Sequence, residues 1–197
     1  MAQPFPLPTG STMTATIALI PIDVQRGFDY PPWGRRNNPH MEDNGRRLLA
    51  AWRERGWPLL HVRHDSVQAG STLRRDHPGN AFRDGFEPRA DEAVVSKSVN
   101  SAFIGTDLDL RLRRLGVDTV AVFGVSTDMC VSTTVRMASN LGYRVIVVGD
   151  ACFCFDLDDG AGGTIAAEAI SAAHLATLRA EFAQVMDTAE LLAHIDA

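Results

Sequence analysis

The stretch ATIALIPID (residues 15–23) is apolar at almost every position, odd and even alike. A strand with one wet face alternates apolar and polar side chains, so a run like this needs cover on both faces, as inside a parallel sheet. Five more runs read as strands: PLLHVRHD (58–65), AVVSK (93–97), DTVAVFGV (118–125), YRVIVVGD (143–150) and AQVMD (183–187). Amphipathic stretches separate them. EDNGRRLLAAWRERG (42–56) sets Leu48, Leu49 and Trp52 on one stripe and stops at Gly56, a residue suited to closing a helix. TDLDLRLRRLG (106–116) opens on a Thr106-x-x-Asp109 capping pattern, carries Leu108, Leu112 and Leu115 on one face and closes at Gly116. A long Ala-rich helix is expected around 164–181, and a short one at the C-terminal end.

Strand and helix alternate about six times, with no internal repeat and no domain-separating linker. The fold class is α/β: a three-layer α/β/α sandwich, Rossmann-like, with an about six-stranded parallel sheet and helices on both faces. One domain is expected over 14–197, behind an N-terminal extended arm at 1–13, MAQPFPLPTGSTM. The length of 197 residues suits one well-buried domain and is short for two. A net charge of −5 argues against nucleic acid or an anionic membrane as partner. No apolar run approaches the roughly 20 residues of a membrane span, and the arm lacks the basic and apolar regions of a secretory signal. The cysteines are Cys130, Cys152 and Cys154. An odd number without framework spacing points to free thiols in a reducing compartment, so a cytoplasmic location is expected.

In open parallel sheets ligands bind beyond the carboxyl ends of the strands. Asp23 follows the first run, His64 and Asp65 the second, Lys97 the third, Cys130 the fourth and Asp150 the fifth. An acid, an amine and a thiol thus reach one edge from three strands. A free thiol has a pKa of about 8.5 and is mostly protonated at neutral pH. With Ser126 or Thr127 as helix N-cap, Cys130 falls in the first turn. A helix N-terminus stabilises an anion by about 0.3–1 kcal/mol, against about 1.4 kcal/mol per pKa unit, so the helix alone is marginal. Lys97 is the candidate to lower the thiol pKa further, and Asp23 the candidate to take its proton.

IDVQRGF (22–28), KSVNSAF (97–103) and GVSTDMCVSTT (124–134) resemble the isochorismatase-like cysteine hydrolase superfamily, in order and spacing, over about 15–192. The resemblance implies an Asp23–Lys97–Cys130 triad and a non-proline cis peptide at Val125–Ser126. It further implies an oxyanion hole made of the Ser126 and Cys130 backbone N–H groups. The implied reaction is hydrolysis of a C–N bond in a small amide, carbamoyl or ureido compound through a thioester on Cys130. The nicotinamidase branch carries a metal on an Asp-x-His run after the second strand. HVRHDSVQAGSTLRRDHPGN (61–80) has no such run, and His61 and His64 are an odd number of residues apart, hence on opposite faces. No metal and no cofactor is expected. The resemblance also implies a homodimer or homotetramer.

Gln25, Phe28, Trp33 and Phe103 are candidate substrate contacts. FDYPPWGRRNNPH (28–40) reads equally as a lid or a subunit contact. Asn100 and Ser101 are placed to position Lys97 or the substrate. Cys152 and Cys154 alternate and face opposite ways, with packing the default for both, and His174 reads as a core or interface histidine. GAGG (160–163) is no phosphate loop, since it lacks GxGxxG spacing and a following lysine. Two other readings stay open: vinyl-ether hydrolysis with Asp23 as acid, and a flavodoxin-like binding domain with a redox or structural thiol.

Overall fold

The computed structural model describes residues 16–197, so the arm read at 1–13 lies outside the described residues. In chain order the elements are β1 (Ile17–Ile22), α1 (Met41–Arg55), β2 (Leu60–His64), β3 (Ala93–Lys97), α2 (Leu108–Arg114), β4 (Thr119–Val125), α3 (Ser132–Asn140), β5 (Arg144–Phe153), β6 (Leu157–Asp158), β7 (Thr164–Ile165), α4 (Ala167–Glu181), β8 (Gln184–Met186) and α5 (Thr188–Asp196). Six strands form one sheet in the order β3-β2-β1-β4-β5-β8, and every pairing is parallel. The central β1 is buried at all its positions, which is why its sequence does not alternate. Helices α1 and α5 pack together on one face of the sheet, and α3 and α4 on the other. Among the described residues, no helix is long and apolar enough to cross a membrane.

From β1 the chain adds strands on one side through β2 and β3, then returns to β1's other side with β4. The order therefore reverses between β1 and β4, and a crevice opens there at the carboxyl ends. Asp23 and Ser126, directly beyond these two strands, stand at that crevice.

Local departures from the sequence reading have identifiable causes. The Ala-rich helix begins at Ala167, because Thr164 and Ile165 pair antiparallel with Leu157 and Asp158 in a small ribbon. GAGG is the tip of that hairpin. Asp159 Oδ1 accepts the N–H groups of Ala161 and Gly163, each at 2.8 Å, and closes the turn. The Thr106-x-x-Asp109 box forms only in part: the Thr106 hydroxyl accepts the Leu108 N–H at 3.3 Å and donates to the Ala102 carbonyl, but Asp109 takes the Tyr143 hydroxyl at 2.7 Å instead. The β2–β3 crossover carries no α-helix. Its long excursion is tied by Asn80, whose Nδ2 donates to the Leu73 carbonyl at 2.8 Å and to Asp65 Oδ1 at 3.1 Å.

The β5 strand runs beyond Asp150 to Phe153, pairing again with Gly124 and Val125 after a register shift. Gly124 has φ 135°, and a Cβ there would lie 2.0 Å from the Ile22 carbonyl oxygen. Only glycine lets β4 approach β1 at this point. Gly124→Ala is expected to cost about 3 kcal/mol or more in chemical denaturation, against the roughly 1 kcal/mol of an average substitution.

Candidate active site

Asp23 ends β1 in the left-handed region, at φ 51°, a conformation Asp adopts more readily than most residues. Its N–H donates to the Val62 carbonyl at 2.9 Å, and its carbonyl accepts the Gln25 N–H at 2.7 Å, so the turn aims the carboxylate into the crevice. The side chain is fully buried. Lys97 closes β3 and pairs in register with His64 of β2, which brings both side chains to one place. The Lys97 ammonium, also fully buried, donates to Asp23 Oδ2 at 2.6 Å, His64 Nδ1 at 2.8 Å and Cys130 Sγ at 3.3 Å. An ammonium has three N–H donors, and each has one acceptor here.

The acceptor atoms of Asp23, His64 and Cys130 lie within 4.8 Å of one another, the spacing of a metal-ligand cluster. The ammonium of Lys97 bonds to all three and so takes the place a cation would hold.

Cys130 is not in the first turn of a regular helix. The Val125–Ser126 peptide is cis, and residues Thr127–Val131 form a wider π-helical turn before α3 starts at Ser132. The N–H groups of Met129 and Val131 both donate to the Ser126 carbonyl, at 3.2 and 3.1 Å. Neither bond uses the Cys130 N–H. The Ser126 side chain makes no capping bond, and the buried Thr127 hydroxyl has no partner.

The thiol is correspondingly not lowered. Burial, then the Asp23 charge, push Cys130 up to about 12, and Lys97 only partly offsets them. The sequence expectation of a thiol pKa lowered overall is therefore corrected. Lys97 does pull in that direction, but its charge is matched by Asp23, and removal from water decides the outcome. The resting group is a thiol. One carboxylate oxygen remains unengaged: Asp23 Oδ1 is buried without a hydrogen-bond partner.

Sγ opens onto a cavity of about 320 Å³ lined by Phe28, Trp33, His64, Asn100, Ser126 and Met129, among others. Phe28 and Trp33 stand 4.9 Å apart between ring centroids, with Phe155 5.0 Å beyond Trp33. The 28–40 loop is held against the β5 extension: Asn38 Nδ2 donates to the Asp150 and Cys152 carbonyls at 2.8 and 2.7 Å. Asn100 Nδ2 reaches Cys130 Sγ at 3.7 Å.

Two candidate contacts lie elsewhere. Gln25 is buried behind the cavity, its amide accepting the His64 N–H at 2.8 Å and donating to the His64 carbonyl at 3.1 Å, as a neighbouring strand would. Phe103 turns away to stack with Tyr143, at 6.1 Å between centroids. Ser101 is buried, and its hydroxyl accepts the Phe103 N–H at 3.3 Å. Asp150 accepts from Thr188 and Asn44 and joins α5 to α1. Cys152 and Cys154 are buried free thiols bonded to the Val148 and Ala167 carbonyls.

His64 is the site residue that the sequence reading set aside. Strand parity sends His61 to the other face, where it meets Glu92 at 2.9 Å. The same parity, counted across the β2–β3 pairing, places His64 beside Lys97.

The Isochorismatase domain family matches residues 17–190. The Bacillus subtilis isochorismatase family protein YrdC is 38% identical over 175 residues, 89% of this chain and 94% of that one. A crystal structure of an isochorismatase-family hydrolase from Chromobacterium violaceum superposes with a TM-score of 0.90 at 44% identity, covering 98% of this chain and 99% of that one. The maleamate amidohydrolase of Pseudomonas putida is 42% identical over 147 residues, 66% of this chain and 69% of that protein. Fold and relatives define an α/β hydrolytic enzyme with its crevice at the strand ends. The chain belongs to the isochorismatase family.

If the pair sets the thiol as described, its two charges act with opposite sign. Asp23→Asn is expected to lower the pH at which Cys130 becomes alkylated, and Lys97→Met to raise it, read residue by residue with iodoacetamide and mass spectrometry.

Proposed function

We propose that this protein is a cysteine-dependent hydrolase that cleaves the C–N bond of a small amide, carbamoyl or ureido compound. One observation carries the reading: the Cys130 thiol faces the buried Asp23–Lys97 pair on one side and an open cavity on the other. Likeness to a maleamate amidohydrolase supports amide chemistry rather than ether chemistry.

A thiol held near 12 is inert until a base removes its proton as it attacks. Asp23 accepts the proton at its free Oδ1, and Sγ forms a bond to the substrate carbonyl carbon while the π pair moves to oxygen. The backbone N–H groups of Ser126 and Cys130 hold that oxyanion. Lys97 balances the charge that moves between Asp23 and Sγ. Collapse re-forms the carbonyl and breaks the C–N bond, and protonated Asp23 gives its proton to the departing nitrogen, leaving a thioester. Water then adds to the thioester carbonyl, losing a proton to Asp23. The S–C bond breaks, the carboxylic acid leaves, and the proton returns to sulfur. For a carbamoyl or ureido compound the acid is a carbamic acid.

Ammonia release from a panel of small amides tests the reading. Cys130→Ala is expected to lower kcat by about 10³-fold or more, because the route has no other nucleophile. Unchanged turnover in that variant rules out the thioester route and turns attention to Asp23 acting alone as an acid.

A further inference from the structure

The cavity above Cys130 has a chemical character that narrows the substrate. Phe28, Trp33, Val67, Leu73, Val99 and Met129 supply apolar surface, and hydroxyl and amide side chains with His64 supply the rest. Among the described residues, no arginine or lysine lines it, and residues 1–15 contain neither. The cation beneath it, Lys97, is fully buried with its three donors spent on Asp23, His64 and Cys130. Arginines line the adjoining groove, which shares Ser66, Val67 and Ser98 with the cavity. There Arg75 is paired to Asp65 at 2.7 Å and Arg74 to Asp76 at 2.8 Å.

A substrate carboxylate entering this space would lose its water and find no unspent cation, because the Lys97 charge below is matched by Asp23. A carboxylate stripped of solvent without a partner is strongly disfavoured. The repulsion grows in the reaction itself, when the carbonyl oxygen also becomes negative. An uncharged acyl group meets the opposite situation: aromatic and aliphatic walls, with the amide directed toward Sγ and the polar groups around it.

We propose that the cavity selects amides whose acyl group is uncharged and apolar, up to about the size of one aromatic ring, and discriminates against acyl groups carrying a free carboxylate. This selection rests on the amide hydrolysis proposed above and sets the chain apart in substrate from the maleamate amidohydrolase it resembles, since maleamate carries an acyl carboxylate.

Two matched pairs test it: benzamide against 4-carbamoylbenzoate, and crotonamide against fumaramate. Ammonia release by the full-length protein gives kcat/KM for each, and calorimetry with Cys130→Ser gives Kd without turnover. The neutral member of each pair is expected to be favoured by at least about tenfold in both quantities. Val99→Lys, which adds an ammonium to the lining, is expected to narrow that ratio by about tenfold. An equal or reversed preference, or no binding by either neutral amide, overturns the selection. Neutral-selective binding without turnover upholds the selection and removes the amidase reading. Turnover without preference does the reverse.

Discussion

The ion pair between Asp23 and Lys97 is the interaction on which the site depends. Both side chains are fully buried, a position no isolated charge holds at acceptable cost. Removing one member leaves the other uncompensated, a loss of about 3–5 kcal/mol in comparable sites. The pair therefore joins β1 and β3 across β2, and it makes the placement of His64 matter, since the third ammonium proton goes to that ring. Gln25 completes the support by holding the His64 backbone as a strand neighbour would.

The same pair accounts for the state of the thiol. Had Lys97 stood alone beside Cys130, its charge would favour a thiolate. With Asp23 paired to Lys97 at 2.6 Å, burial and then the carboxylate charge outweigh the pull of the ammonium and raise the thiol pKa. In the proposed reaction the nucleophile is generated only as Asp23 takes the thiol proton.

Much of the fold was legible in the chain, because unbroken apolar runs such as 15–23 allow few arrangements other than central strands under two helical layers. The meeting of Asp23, Lys97 and Cys130 at one edge followed from their place after three strands. Other features depend on contacts that no local pattern carries. The wide turn at Thr127–Val131 looks like an ordinary helix start in sequence. The β6–β7 ribbon is only two residues per strand, and in sequence its second strand reads as the start of the following helix. His64 in sequence shows only that it faces away from His61, whereas its place follows from register with Lys97 in the next strand. Gln25 and Phe103 lie close in sequence to Asp23 and Lys97, yet their side chains are drawn to the His64 backbone and to Tyr143.

The nucleophilic role of Cys130 is most directly tested by trapping the acylated protein. Acid quenching during turnover of a small amide, followed by peptide mapping, is expected to find the substrate acyl mass on the peptide containing Cys130 and on neither Cys152 nor Cys154. Steady ammonia release with no acyl mass on Cys130 at any quench time, including in a variant slowed in deacylation, would contradict a thioester route.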